Sequence, residues 1–305
     1  VQELEIPYFG TVRLAIEKMY KIQDLNLYIV PTIESNSTSH EREYLVINEK
    51  PDSVRFRDSG SIDKVYADNL TGSYILLPVG IVIAGLTQPR IIRNTIVLEP
   101  YAKDVLVDVM CVSASTPITP RAYMKMHRYA PLSVKKACRF SQRRVWSTIR
   151  AVIASSDLSS HDKSRILDNL ALFMKEIERT KQIGKFLEDV QIHEGQVGFA
   201  VFDHEGIIAL ELFNHADSFK TCSKDILKKY VLERVFTKHT ERIYDLNEDL
   251  IGKALNMLIK DLEKAEYKLI KKSSEHVTYE ISGTSFEGQY AILKGKTIYM
   301  VVWRR

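Results

Sequence analysis

Gln88 and Arg90 stand in a short polar run, GLTQPR (85–90), between two stretches rich in Ile, Val and Leu. An arginine in such a loop can hold a phosphate or carboxylate through two parallel N–H donors, and a neighbouring glutamine adds an amide donor and acceptor. The pair reads as ligand-binding; the bland alternative is that Arg90 salt-bridges the body of its domain while Gln88 caps a turn. Glu211 interrupts the apolar run ALELF (209–213). As a catalytic candidate it would face a pocket as a general base, whereas strand alternation equally puts it on the solvent side, away from Leu210 and Leu212. Cys111 is flanked by Val109, Met110 and Val112. No local cation would lower its pKa, so it reads as a buried structural thiol.

A second constellation is electrostatic. Between Arg121 and Arg150 stand nine lysines or arginines and no acidic residue, so the formal charge of +4 is concentrated there and the rest of the chain is net negative. Tyr123, Tyr129, Phe140 and Trp146 are interleaved with these cations. That mixture suits phosphate contacts plus base stacking, with Arg128, Arg139, Arg143 and Arg144 as the nucleic-acid-binding set. The alternative is a solvated basic helix with Trp146 in the core.

Several classes are disfavoured. His127, His193, His204 and His215 lack metal-ligand spacing, so no metal site is expected. There is no P-loop, no G-x-G-x-x-G and no G-x-S-x-G, and no cofactor is expected. The three cysteines are far apart and suggest a reduced, cytoplasmic protein. No apolar run approaches the length of a membrane helix, and VQELEIPYFG shows no leader pattern, so no membrane partner is expected. The oligomeric state stays open.

The elements that must position these residues are legible in outline. Residues 74–112 hold four short apolar runs separated by Gly80, GLTQPR and EPYAK (99–103), the pattern of buried strands. With alternating runs at 25–33, 43–49, 52–58 and 62–69, about eight strands precede residue 115, which suggests a sandwich or barrel. TVRLAIEKMYKIQ (11–23) suits either helix or strand, and 34–43 reads as an exposed loop. Helices are expected over 133–156, 159–190, 216–236 and 247–266. Hairpins are expected over 195–214 and 288–303, with a strand at 277–282. The fold class is α+β: a β-rich, sandwich- or barrel-like N-terminal unit (1–120), then helices packed on a small antiparallel sheet (121–305), with one compact domain formed by both as the alternative.

Beyond the single residues, the chain resembles the ADP-ribosylglycohydrolase- and rhodanese/phosphatase-associated protein domain family, a prokaryotic family. The resemblance rests on ADN (67–69), GLTQPR, VDVMCV (107–112), QRRVW (142–146), EGQVGFAVFDHEGIIALELF (194–213), Ser218-Phe219, LKKY (227–230) and the terminal hairpin. It departs from the family pattern after Cys111-Val112, where SASTPIT replaces a Glu and a Gly-Arg-Trp, and at Pro89 and Arg93, where Asn is expected. The resemblance implies a role near enzymes of ADP-ribose and NAD derivatives. The leading function is therefore binding, or processing, of a phosphate-bearing small molecule related to ADP-ribose or NAD. The rivals are a non-enzymatic nucleic-acid-binding module using the basic segment, and a pure protein-interaction module.

Overall fold

The computed structural model describes residues 2–34, 41–236 and 246–305, and counts of elements refer to these. The loop read over 34–43 therefore lies largely outside the described residues. The chain opens with β1 (Gln2–Ile6), β2 (Gly10–Leu14), β3 (Tyr20–Ile22) and β4 (Leu27–Glu34). The ambiguous run 11–23 resolves into strand, one 3-10 turn and strand. Its period-2 alternation decides this, because Val12 and Leu14 bury on the same side as Leu4 and Ile6 of the paired strand.

Nine strands follow: β5 (Tyr44–Val46), β6 (Val54–Asp58), β7 (Lys64–Asn69), β8 (Tyr74–Leu77), β9 (Ile81–Gly85), β10 (Arg90–Ile92), β11 (Ile96–Leu98), β12 (Val105–Cys111) and β13 (Tyr123–Tyr129). Six of them close a barrel in the order β10-β12-β7-β6-β13-β9, while β11, β8 and β5 form a separate small sheet. Alternate residues Val54, Phe56 and Asp58 of β6 are all buried, so the interior row that begins apolar ends in a carboxylate.

The next helices are shorter than their periodicity suggests: α1 (Leu132–Ala137), α2 (Gln142–Ser155), α3 (Ser160–Ile166) and α4 (Leu170–Lys181). The expected helix 133–156 breaks where the Ser141 hydroxyl accepts from the Arg144 N–H and starts α2 anew. The expected helix 159–190 breaks at Leu167, held at φ 54°, and restarts on the Asn169 cap.

The chain then returns through β14 (Gln196–Asp203), β15 (Gly206–Phe213), α5 (Ala216–Phe236), α6 (Glu248–Lys264), β16 (Glu266–Lys272), β17 (His276–Ser282), β18 (Phe286–Leu293) and β19 (Lys296–Arg304). The sheet these strands build runs β1-β2-β4-β14-β15-β19-β18-β17-β16, with β3 added on β4. It is larger than the sequence suggested because β14 pairs with β4, drawing the N-terminal strands into it. On one face α6 buries Ile251, Leu255, Leu258 and Leu262 against Leu210, Leu212, Met300 and Val302. Full burial of each such side chain is worth about 1.5–3 kcal/mol.

The architecture is thus α+β, with a barrel in its first half. Its two compact units are discontinuous in sequence. One holds residues 2–34, 41–42, 190–223 and 246–305, and the other 43–189 and 224–236. A boundary near residue 120 would fall inside the second. Among the described residues no helix is long and apolar enough to cross a membrane.

Candidate functional site

The GLTQPR run joins β9 to β10 at one end of the barrel. Its glycine is required by close approach: a Cβ on Gly85 would lie 2.2 Å from the Tyr123 carbonyl oxygen of β13. Beyond it the polar residues turn inward. Arg90 and the Asp58 carboxylate are fully buried and paired at 3.4 Å, and the same guanidinium donates to the backbone oxygens of Gln88 (2.6 Å) and Ser61 (3.3 Å). Asp58 also accepts from the Thr87 hydroxyl (2.7 Å) and the Gly60 N–H (2.7 Å). Burial lowers the Arg90 pKa, while Cys111 and Asp58 act in the opposite sense. Gln88 is buried as well, and its Nε2 donates to the Ser113 carbonyl at 2.8 Å. The loop exposes Leu86 instead. Both residues expected to meet a ligand thus hold the barrel end together from within.

Around them gather the other positions of the family-like motifs. Gln142, opening α2, accepts from the Cys111 N–H (2.9 Å) and donates to the Cys111 carbonyl (2.7 Å), completing the backbone bonding where β12 ends. The Cys111 thiol donates to the Ser113 oxygen at 3.0 Å. Burial raises its pKa; the Ser113 backbone, the Trp146 side chain and the Arg90 charge oppose that rise. Such a thiol is a poor nucleophile. The divergent SASTPIT loop has its own tethers, Ser113 to Thr116 (2.8 Å) and Ser115 to Asp168 (2.7 Å).

Glu211 meets neither reading made for it. It is fully buried on the face of the large sheet opposite α6, accepts from the Tyr299 hydroxyl at 2.6 Å, and has no place in the lining of the charged cavity described next. Alternation does turn it away from Leu210 and Leu212, but both faces of the sheet are covered. On its side the ring of Phe219 packs against Phe199 and Phe213.

A charged cavity lies instead among β13, α4 and α5, within the barrel-containing unit. A β-bulge between Met126 and Arg128 breaks the alternation of β13, and His127, Arg128 and Tyr129 all line the cavity. From α5 come Asp225, Lys228 and Leu232, spaced by three and four residues on one helical face. From α4 comes Glu178. Its carboxylate is shared by two cations from different elements: Arg128 bonds one oxygen, and Lys228 lies 3.3 Å from the other. Lys228 also approaches Asp225 at 3.7 Å, and Asp225 accepts from the Asn48 amide, whose oxygen accepts from the Tyr129 hydroxyl.

His127 completes the wall. Its Nε2 lies 3.2 Å from the Ala171 carbonyl, which can only accept, so that nitrogen carries the proton and Nδ1 keeps its lone pair. Burial, then the charge of Arg128, push the imidazole pKa below its ordinary 6.5, so it is neutral near neutrality. Burial likewise lowers the Arg128 pKa, but a guanidinium remains charged. The cavity leaves about 90 Å³ for the centres of water-sized molecules, room for several waters.

The basic segment divides. Arg128 is held in the cavity, whereas Arg139 follows α1 and Arg143 and Arg144 project from the first turn of α2 into solvent. Sequence reasoning missed β13 because its KMHRY run carries three basic or titratable residues in a row. It also missed the cavity, for which the spacing of Asp225, Lys228 and Leu232 was the available signal. Among the described residues no group of three or more His, Cys, Asp or Glu is arranged to hold a metal ion.

The family model described as "ARG and Rhodanese-Phosphatase-superfamily-associated Protein domain" matches residues 13–303. No curated protein and no solved structure matches the chain.

Proposed function

The chain belongs to the ARG and Rhodanese-Phosphatase-superfamily-associated Protein domain family, and from that membership we propose that it binds a phosphate-bearing ribose compound of the ADP-ribose type in the cavity of Arg128, Glu178 and Lys228. One observation carries the reading: two cations from separate elements converge on a single carboxylate. They form a seat for oxyanion oxygens, currently filled by a side chain. A phosphate entering it exchanges with Glu178 for one or both cations. Glu178 and Asp225 are then free to accept the hydroxyl hydrogens of a ribose, as carboxylates do at nucleotide sites. The cavity is small, so on this reading the terminal phosphate enters it and the remainder of such a ligand stays outside. Gln88 and Arg90 act at one remove, by holding the barrel end that leads into β13.

The test is a thermal-shift and calorimetric titration with ADP-ribose, ribose 5-phosphate and inorganic phosphate, because a ligand of the native state raises its melting point. Arg128→Ala and Lys228→Ala each remove one charge-assisted contact. A loss of roughly 2–5 kcal/mol of binding per contact is a weakening of about 30-fold or more. No shift with any of the three compounds, or binding that survives both substitutions, would sink the proposal.

A further inference from the structure

The exposed face of α2 has no part in the cavity, and its composition calls for a partner. The helix buries Val145, Ile149 and Ile153, four residues apart, and turns Arg143, Arg144, Ser147 and Arg150 to solvent. Among the described residues no ion pair engages the guanidinium of Arg143, Arg144 or Arg150. No acidic residue occurs in α1, in α2 or in the turn between them. In that turn Phe140 stands 71% exposed, with Arg139 before it. Folding does not explain this arrangement. Cations in a first helical turn oppose the helix dipole, and an exposed phenyl ring gains nothing from water. By contrast, cations tracking a backbone beside an open aromatic ring are what an unpaired nucleotide chain uses.

We propose that the α2 face binds single-stranded nucleic acid, with phosphates on Arg143, Arg144 and Arg150 and a base stacked on Phe140. A duplex would satisfy the arginines, but its bases are already stacked and leave the ring idle. Arg143 and Arg150 lie about 10 Å apart along the helix, at 1.5 Å per residue, so they contact different phosphates of one strand. The site is independent of the cavity, and Arg128→Ala/Lys228→Ala leaves it intact.

The experiment is fluorescence anisotropy of the full chain with a labelled oligo-dT and the matching duplex, at low and at physiological salt. The wild type should bind the single strand more tightly, with steep salt dependence. The variant Arg143→Glu/Arg144→Glu/Arg150→Glu should lose at least about tenfold, and its salt slope should fall by roughly 2, at about 0.7 per lost phosphate contact. Phe140→Ala should weaken binding about fivefold or more with the slope unchanged. The reversed-charge protein should melt no lower than wild type, since acids suit a helix start; if it does melt lower, Arg143→Gln/Arg144→Gln takes its place. Absence of binding at low salt, indifference to the charge reversal, a preference for duplex, a silent Phe140→Ala, or displacement of the oligonucleotide by an acidic peptide would each overturn the proposal.

Discussion

At the scale of residues, the same side chains change meaning once their surroundings are known. Arg90 has the chemistry of an anion clamp, but every atom it bonds belongs to its own barrel: Asp58, Ser61 and Gln88. Removing one partner of a buried pair leaves the other charged and unsolvated, which costs roughly 3–5 kcal/mol. Arg90→Ala should therefore lower the free energy of unfolding by that amount, read from denaturant titration. The double variant Arg90→Leu/Asp58→Leu should recover only part of it, because Thr87, Gly60, Gln88 and Ser61 also lose their bonds to the pair. A loss of under ~1 kcal/mol for the single variant, the range of surface pairs, would mean that the pair is not buried as described. Arg128 is the contrasting case. It lies in a segment read as one basic surface, yet the bulge in β13 sets it beside Glu178 and Lys228 in a cavity.

Elements decide which of these residues can meet. β9 and β13 approach so closely at Gly85 that no side chain fits there, which gives the glycine of the loop motif a backbone reason rather than a ligand-binding one. Gly85→Ala must push the two strands apart or tilt the loop, an overpacking cost of roughly 1–3 kcal/mol. Denaturant unfolding measures it directly, and a variant as stable as wild type would show that the strands have room to spare. Helix starts are set just as locally. Ser141 and Asn169 cap α2 and α4 with side-chain oxygens, cutting two long amphipathic runs at places that apolar spacing alone does not mark. The start of α2 is also what leaves Arg143 and Arg144 projecting beside Phe140.

On the scale of the whole molecule, the chain closes on itself out of order. Residues 28–33 in β4 pair with residues 196–202 in β14, and β2 adds to the far side of β4. A fragment of residues 1–120 then contains β4 without the strand that completes it, and exposes Val30 and Tyr28, which pack with Ala200 and Phe202 in the intact chain. Expressed alone, that fragment should lack cooperative unfolding and show poorly dispersed amide resonances. A fragment with a sharp melting transition would show that the N-terminal strands stand without β14. The complementary piece, residues 121–305, lacks β4 and five of the six barrel strands and should fare no better.

Local chemistry sufficed for much of this protein. Alternation and short apolar runs announced strands across 74–112, although the third of the four runs divides into β10 of the barrel and β11 of the small sheet; helical spacing announced α4 to α6, and Gly-centred turns announced both hairpins of the second half. The family-like motifs also pointed to residues that do come together, Gln88, Arg90, Cys111 and Gln142, although as the inner framework of the barrel end. These features are legible because they depend on neighbours a few residues away. Burial and partnership depend on residues far off in the chain. Whether Arg90 faced water depended on Asp58, 32 positions earlier. Whether Glu211 faced solvent depended on Tyr299 and Phe219 covering the second face of its sheet. The cavity needed a bulge in β13, a capped helix α4 and one face of α5, with Arg128 and Lys228 a hundred residues apart. Only the tertiary structure could set those cations on one carboxylate, because no short-range pattern records what a strand or helix will pack against.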